Sequence, residues 1–337
     1  MIRLAVVGCG QWGPNHIRVF GSLSGCRVVA AVDSDPKRLA KVRESYPDLR
    51  LEQRLDPLFR DPEVDAVVVA TPTSTHFELV RKALEAGKHV LCEKPLCRTS
   101  KEARALLALA RKKRRTLMTG HVFLFNSGIV KLKELFDGKE LGDFRYLSSV
   151  RTNLGPIRKD INVAFDLATH DVSIFNWLLG AAPEWVSAAG GTFLQPGISD
   201  VVFASLRYKG GIANVHASWL NPKKVRQITL VGSRKMATWD DLQLATPVAL
   251  YDCGAKAVPD YREYGEFLRI SMWDADVRLP KVRSEEPLKA QDRHFLAAVA
   301  GGKLDRSGGD FTLGVIRTLE ALDASLKTNG RPVKVPA

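Results

Sequence analysis

Five short runs of mainly apolar residues constrain the fold more than any other feature of the sequence. They lie within the first 121 residues and read IRLAVVG, CRVVAAVD, DAVVVAT, HVLCEKP and TLMTGH. Such runs, rich in β-branched residues, are typical of parallel strands that are buried on both faces. Segments of helix length separate them: Asp35-Pro36 opens one helix, and Thr99 with Glu102 makes a capping box for another. This alternation predicts a doubly wound parallel sheet of the α/β class.

The pattern changes after His121, and we therefore predict two domains, residues 1–121 and 122–337. Residues 184–279 are mostly strand-like segments separated by short turns. The turn YKGG, residues 208–211, joins two of these segments as a hairpin would. Sequential strands with short turns predict a mostly antiparallel sheet, and hence an α+β second domain.

Four helices are predicted in the second domain. Residues 126–136 and 165–179 precede the strand-rich region, and the second of these segments has an apolar stripe at helical spacing. Residues 288–299 and 311–327 close the chain, with Asp310 as the cap of the last helix. This C-terminal helix is a candidate to pack back on the first domain.

The formal net charge of +13 indicates an anionic partner. The densest basic run, ARKKRR at 110–115, ends a predicted helix, where cations complement the helix dipole. Because no aromatic-basic platform or DNA-reading motif accompanies the charge, we expect an anionic small molecule and no nucleic acid. No apolar run approaches the roughly 20 residues that cross a bilayer, so no membrane partner is expected. The opening residues lack the regions of a signal peptide, which favours the cytoplasm.

The five cysteines are an odd number without metal-type C-x-x-C spacing. We expect most of them to be reduced, small core residues. The sequence therefore predicts no metal site.

The sequence GCGQWG satisfies G-x-G-x-x-G in the required place, after a strand and at the start of a helix. Gly8 permits a tight turn, Gly10 lets backbone amides approach a pyrophosphate, and Gly13 allows close packing of helix on strand. The helix N-terminus adds partial positive charge for the phosphates. Asp33 ends the second strand, where a carboxylate accepts hydrogen bonds from a ribose diol and repels a 2′-phosphate. NAD is therefore favoured over NADP, a preference that the nearby cation Arg38 weakens.

Further polar residues follow the later predicted strands, at the carboxyl edge where open α/β sheets bind ligands. TPTSTH follows the run DAVVVAT and EKP ends the run HVLCEKP, so Lys94 is expected to project toward the nicotinamide end of the cofactor. The predicted cofactor-binding residues are Gly8, Gly10, Gln11, Trp12, Gly13, Asp33, Arg38, Thr71, Pro72, Thr73, His76, Glu93, Lys94 and His121.

The G-x-G-x-x-G opening, the acidic end of strand two, TPTSTH, EKP and the strand-rich C-terminal half together resemble the glucose–fructose oxidoreductase/inositol dehydrogenase (Gfo/Idh/MocA) family. The resemblance covers essentially the whole chain. It implies a Rossmann domain joined to a domain with an open-faced sheet, and hydride transfer between NAD(P) and a secondary alcohol, usually on a sugar or cyclitol. Residues 120–126, 153–180 and 218–241 are similar to a branch that oxidises carbon 3 of UDP-linked N-acetylhexosamines or their uronic acids.

Oxidising a secondary alcohol requires a base that removes the hydroxyl proton as hydride leaves the carbon. Histidine, with a reference pKa of about 6.5, suits this role. Asp166 and His170 stand four residues apart on a predicted helix and can share a face. The resemblance implies that Lys94 and His170 meet the reacting hydroxyl. We assign His170 as the base, Lys94 as the group that polarises the hydroxyl, and Asp166 as a partner of a hydroxyl or of the histidine. The roles of Lys94 and His170 can also be exchanged or shared.

Arg158 and Asn162 precede this helix in a polar loop. A substrate diphosphate or carboxylate would be bound by Arg158 with two parallel hydrogen bonds. The predicted substrate-binding residues are Lys94, Arg158, Asn162, Asp166 and His170.

Two alternatives remain at this point. One is a dehydrogenase of free sugars or inositol, and the other is a non-catalytic NAD-bound sensor. An open sheet face would expose apolar surface on a monomer, so we also expect a homodimer or homotetramer formed through it.

Overall fold

The computed structural model describes residues 1–262 and 265–336. The chain forms two compact units, and the first consists of residues 1–125 together with 285–320. The division into residues 1–121 and 122–337 stays a prediction, and in the structure a segment near the C-terminus belongs to the first unit. Across the described residues, no helix is both long and apolar enough to cross a membrane.

The first unit contains the predicted parallel sheet. Its six strands are β1 (Ile2–Val7), β2 (Cys26–Val32), β3 (Arg50–Glu52), β4 (Ala66–Val69), β5 (His89–Glu93) and β6 (Leu117–Gly120). They lie in the order β3-β2-β1-β4-β5-β6, with every neighbouring pair parallel. The central strands are buried on both faces, as their continuous apolar runs require. All the strands point the same way, so the residues that follow them share one edge of the sheet.

The helices between these strands are α1 (Gly13–Gly21), α2 (Pro36–Ser45), α3 (Asp56–Arg60), α4 (Thr73–Glu85) and α5 (Ser100–Lys113). The start of α2 is capped by Asp35, whose side chain accepts a hydrogen bond from the Lys37 amide. Thr99 and Glu102 form the predicted capping box at the start of α5, with both reciprocal bonds at 3.2 Å. Both helix starts read from the sequence are confirmed.

The second unit is built on a mixed sheet. After a 3₁₀ turn at Val122–Phe125, its elements are α6 (Ser127–Asp137), β7 (Phe144–Thr152), a π-helical turn (Ala164–Ala168), α7 (Thr169–Leu179), β8 (Trp185–Gly191), β9 (Val201–Tyr208), β10 (Gly211–Ser218), β11 (Val225–Gly232), β12 (Met236–Asp240), β13 (Val248–Arg262) and β14 (Gly265–Arg278). The predicted hairpin is confirmed, since β9 pairs with β10 in antiparallel register. One pair, β7 with β10, is parallel, and the other pairs are antiparallel.

The chain ends with α8 (Pro287–Val299), α9 (Gly309–Lys327) and β15 (Val333–Lys334). The large sheet has the order β14-β13-β12-β11-β7-β10-β9-β8-β15. Asp310 is not the cap of α9, contrary to the prediction, because the helix begins one residue earlier at Gly309. Asp310 lies in the first turn, where its negative charge suits the helix dipole, and its carboxylate is 3.2 Å from the Arg111 guanidinium.

One face of the large sheet carries apolar side chains. Ile212 pairs with Tyr146, and His216 pairs with Phe203, so these four residues point to the same side. Tyr146, Phe203 and Ile212 are exposed, and the rings of Phe203 and His216 stack with their centroids 4.4 Å apart. The second unit therefore has an uncovered, partly apolar sheet face in this chain.

Candidate active site

The glycine turn of the first unit is held by close contacts of its backbone. Gly8 has a φ of +94°, and a Cβ there would lie 2.6 Å from the Ala70 carbonyl oxygen. A Cβ on Gly13 would lie 1.8 Å from the Gly8 carbonyl oxygen. At Gly10 the nearest neighbour of a Cβ is the Arg38 guanidinium at 3.7 Å, so the space above this residue is open. Two glycines thus shape the turn and the third leaves room for a ligand, which fits a dinucleotide pyrophosphate at the start of α1.

Asp33 stands beside this turn at the end of β2. The carboxylate is buried and accepts hydrogen bonds from the Cys9 amide at 2.7 Å and the Asp35 amide at 2.8 Å. The half-exposed guanidinium of Arg38 lies 3.5 Å from the carboxylates of both Asp33 and Asp35. These backbone amides therefore hold the Asp33 carboxylate, a hydrogen-bond acceptor, where a ribose diol is expected. Arg38 is engaged with these two acids.

His76 connects the segments that follow two neighbouring strands. It is buried in α4, with Nδ1 2.8 Å from the Pro95 carbonyl oxygen and Nε2 2.8 Å from the Thr71 carbonyl oxygen. Thr71 in turn shares a hydroxyl–hydroxyl hydrogen bond of 2.7 Å with Thr75. His76 thus lies between a backbone carbonyl of the segment after β4 and one of the segment after β5, and it contacts both.

Lys94 follows directly after β5 and is half-buried. Its neighbour at the end of β6 is His121, a buried residue whose two ring nitrogens have no hydrogen-bond partner among the residues that the structure describes. Burial, and then the positive charge of Lys94, lower the pKa of His121 to about 3. His121 is consequently neutral near pH 7, and its ring adds no second positive charge beside Lys94.

Asp166 lies in the second unit, within the π-helical turn. The predicted single helix over 165–179 is therefore divided, since α7 itself begins at Thr169. Asp166 is buried, and its carboxylate accepts a hydrogen bond of 3.1 Å from the Trp219 indole. The Arg158 guanidinium lies 3.5 Å from the other carboxylate oxygen. Because π-helical turns are frequent at functional sites, this turn makes Asp166 a candidate functional residue.

His170 follows in the first turn of α7 and is buried. Asn162 caps the π-helical turn, since its side-chain oxygen accepts hydrogen bonds from the Ala164 and Phe165 amides at 3.1 and 3.2 Å. Its amide nitrogen donates to Asp323 at 2.9 Å. The second unit thus brings Arg158 and Asp166 together, while Asn162 caps the π-helical turn and binds Asp323.

Three features of these sites are not evident in the sequence. Trp219 is fully buried and binds Asp166, although spacing alone indicates only a core residue. Arg151 and Asp171 form a buried ion pair, with Nε–Oδ2 at 2.8 Å and Nη2–Oδ1 at 3.1 Å. His16 is buried between two carboxylates in the first unit. None of these pairings leaves a short-range motif, because their partners lie 20 or more residues apart.

Two family models match the chain. Residues 2–121 match an oxidoreductase family with an NAD-binding Rossmann fold, and residues 129–238 match the GFO/IDH/MocA C-terminal domain. The chain belongs to the Gfo/Idh/MocA oxidoreductase family. This confirms the family resemblance carried by EKP and the accompanying motifs, and the first domain is an NAD-binding Rossmann domain.

Curated relatives within the Gfo/Idh/MocA family carry different substrate names. Inositol 2-dehydrogenase 2 from Saccharopolyspora erythraea is 35% identical over 61% of this chain, which spans 62% of that protein. UDP-N-acetylglucosamine 3-dehydrogenase from Acidithiobacillus ferrooxidans is 31% identical over 77% of this chain, which spans 79% of that protein. The family is thus established, and the substrate is not decided by these relatives.

Solved structures agree with the fold over nearly the whole chain. That of UDP-N-acetylglucosamine 3-dehydrogenase from Acidithiobacillus ferrooxidans has a TM-score of 0.81 and 25% identity, covering 97% of this chain and 98% of the other. GenD2 from gentamicin A biosynthesis, in complex with NAD, has a TM-score of 0.83 and 25% identity, covering 100% and 97%. The predicted fold, a Rossmann domain with a mostly antiparallel sheet domain, is confirmed.

Proposed function

We propose that this protein is an NAD-dependent dehydrogenase that oxidises carbon 3 of a UDP-linked N-acetylhexosamine or of its uronic acid. The observation that carries the substrate assignment is the pairing of Arg158 with the buried carboxylate of Asp166, 3.5 Å apart. Arg158 then offers a cation for a diphosphate or carboxylate, and Asp166 beside it offers an acceptor for a sugar hydroxyl. The relative named UDP-N-acetylglucosamine 3-dehydrogenase supports the same assignment.

The proposed chemistry removes one proton and one hydride from a secondary alcohol, leaving a ketone. NAD supplies the hydride acceptor when it is bound. His170 takes the hydroxyl proton as the base, and Lys94 donates a hydrogen bond to the same oxygen, which polarises it. An exchange of these two roles gives the same products. Asp33 and the glycine turn hold the cofactor. Because His121 is neutral, Lys94 is the charged member of this neighbouring pair.

A second candidate is a dehydrogenase of inositol or a free sugar. The observation in its favour is the 35% identity to inositol 2-dehydrogenase 2. Such a substrate carries no phosphate, so Arg158 would then serve only as the partner of Asp166. A non-catalytic sensor has less support, since a protein that only binds NAD requires neither Lys94 nor His170.

The test is NADH formation, followed by absorbance, on a panel of substrates offered with and without UDP. UDP-N-acetylglucosamine and its uronic acid are the main members, and myo-inositol, free N-acetylglucosamine and glucose are the controls. We expect turnover with the UDP-linked compounds alone. Turnover with free polyols alone would contradict the substrate assignment, and bound NAD without any turnover would favour the sensor.

Arg158→Gln and its neighbour Lys159→Gln make a matched pair for the same panel. Loss of a charge-assisted, two-bond contact of roughly 1.5–3 kcal/mol raises KM for the UDP-sugar by about 10- to 100-fold in the first variant. The second should change KM by less than about threefold, since a solvated lysine contributes little. Equal effects of the two substitutions would remove Arg158 from the site.

We further propose that the uncovered sheet face, defined by Tyr146, Phe203, Ile212 and His216, associates with the same face of another copy. A face with three exposed apolar side chains gains stability when water is removed from it. Sedimentation velocity should show a dimer or tetramer, and Phe203→Glu should shift it toward monomer. A monomeric wild-type protein at tens of micromolar would contradict this.

A further inference from the structure

Three buried ionisable groups of the first unit take no part in the proposed reaction. His16 in α1 and Asp292 in α8 are fully buried, and Glu93 at the end of β5 is 8% exposed. The His16 ring lies between the two acids, with Nε2 3.1 Å from Glu93 Oε1 and Nδ1 3.1 Å from Asp292 Oδ2. We call these residues the buried triad.

The geometry makes His16 a cation. Both ring nitrogens face carboxylate oxygens, and a neutral imidazole has only one N–H to donate. Burial alone would lower the pKa of His16, but the Asp292 and Glu93 carboxylates together raise it to about 10. An imidazolium between two carboxylates gives each of the three buried groups a charged partner, and without such partners their burial would be costly.

The triad joins the cofactor turn to the lysine. His16 stands three residues after Gly13, in the first turn of the helix at which the pyrophosphate is expected. Glu93 directly precedes Lys94, and its second oxygen accepts a hydrogen bond of 3.2 Å from the Lys94 amide. One carboxylate is therefore shared between the α1 helix and the backbone of Lys94.

Two further contacts confine this carboxylate and the segment that follows it. A Cβ on Gly120 of β6 would lie 3.2 Å from the carboxyl carbon of Glu93, so the neighbouring strand packs directly on the acid. On the other side of Lys94, the Pro95 carbonyl accepts from the buried His76 ring at 2.8 Å. Lys94 thus stands between two residues that are each held by a buried histidine.

We propose that His16 is a positioning residue that acts through Glu93 to fix the orientation of Lys94 relative to the cofactor-binding turn. Glu93, predicted above among the cofactor-binding residues, then serves turnover by holding the Lys94 amide. The inference rests on the proposed function only in taking Lys94 as the group that meets the substrate.

The first test needs no substrate. The Lys94 amine is labelled with limiting acetic anhydride in the NAD-loaded protein, and mass spectrometry of the peptides compares its rate with that of exposed Lys101 as an internal standard. We expect His16→Gln and Glu93→Gln each to change the relative rate at Lys94 at least threefold. The NAD affinity of His16→Gln, measured by quenching of protein fluorescence, should stay within about threefold, because the glycine turn and Asp33 are intact.

Arg18→Gln is the matched control. Arg18 also links α1 to the α8 region, through an exposed pair with Glu286 at 3.2 Å, but it makes no contact with Glu93 among the described hydrogen bonds. This variant should leave Lys94 labelling unchanged. An unchanged rate in folded His16→Gln and Glu93→Gln would overturn the proposal, and so would loss of folding in both, since the triad would then serve stability alone.

The second test uses the sugar substrate found in the panel. His16→Gln should lower kcat by about 10- to 100-fold, the cost of a displaced reacting group, and Lys94→Ala/His16→Gln should be no slower than Lys94→Ala. Additive losses would contradict an action through Lys94. If no sugar is turned over, the proposed function fails while the labelling result still decides the positioning role.

Discussion

Removing one partner of the buried pair of Arg151 and Asp171 should destabilise the second unit, by an amount that depends on how deeply the pair is buried. The two side chains are 2% and 1% exposed and meet through two hydrogen bonds between strand β7 and helix α7. Asp171 directly follows His170, so this pair also fixes the start of the helix that carries the proposed base. Replacing one partner leaves the other charge buried, which typically costs about 3–5 kcal/mol.

The direction of the Asp171 pKa shift indicates that burial disfavours the charged carboxylate more than Arg151 favours it. Burial raises this pKa above its ordinary value even though the Arg151 guanidinium opposes the change. A carboxyl group with a raised folded-state pKa contributes stability at low pH that is lost as the pH rises through its folded value. Well-packed apolar residues often replace a buried ion pair of this kind without loss of stability.

We therefore expect Asp171→Asn to lower the unfolding free energy of the second unit by about 3–5 kcal/mol and Arg151→Met/Asp171→Leu to restore most of it. Urea unfolding followed by tryptophan fluorescence reports this unit, because Trp219 and Trp239 are fully buried within it. The control is Asp137→Asn, which breaks an exposed pair with Lys133 and should cost under about 0.5 kcal/mol.

Two results would refute this reasoning. One is an Asp171→Asn variant as stable as the Asp137→Asn control. The other is a double variant whose loss equals the sum of the two single losses, since that would mean that no stability is recovered when both charges are removed together.

Three further predictions concern the first unit. Lys94→Ala should lower kcat by at least about 10²-fold with little change in NAD affinity by fluorescence titration, and retained turnover would remove Lys94 from the mechanism. Asp33→Ser should weaken NAD and improve NADP relative to NAD in initial-rate assays, whereas an unchanged ratio would contradict the ribose assignment. The raised pKa of His16 stabilises the fold fully below its unfolded value near 6.5, and this contribution falls as the pH rises toward about 10. The stability difference between wild type and His16→Gln should accordingly shrink between pH 7 and pH 10 by up to about 1.4 kcal/mol per unit, and a constant difference would show that His16 is not charged.

The parallel sheet and its helix starts follow from the sequence because their signals are local. Apolar runs such as AVVV at 66–69 specify strands that are buried on both faces, and Asp35 and Thr99 cap the helices that they precede. The glycine turn is signalled locally as well, since its three glycines lie within residues 8–13 and a Cβ on Gly13 would meet the Gly8 carbonyl oxygen. Elements of this kind can be predicted without knowing which distant residues they contact.

The contacts that hold the candidate site residues are not local. His16 and Asp292 are 276 residues apart in the chain, and Trp219 reaches Asp166 across 53 residues. The π-helical turn before α7 does not follow from the sequence either, because the apolar stripe of residues 165–179 is compatible with one regular helix. Periodicity detects which face of an element is buried, and it does not detect which polar groups meet there.

The most direct test of oxidation at carbon 3 is the transfer of deuterium from carbon 3 of UDP-N-acetylglucosamine to NAD. The substrate deuterated at that carbon is incubated with enzyme and NAD, and the reduced cofactor is weighed by mass spectrometry. We predict a cofactor one mass unit heavier, together with a 3-keto sugar nucleotide. Reduced cofactor of ordinary mass would contradict oxidation at carbon 3, and no reduced cofactor would contradict the substrate.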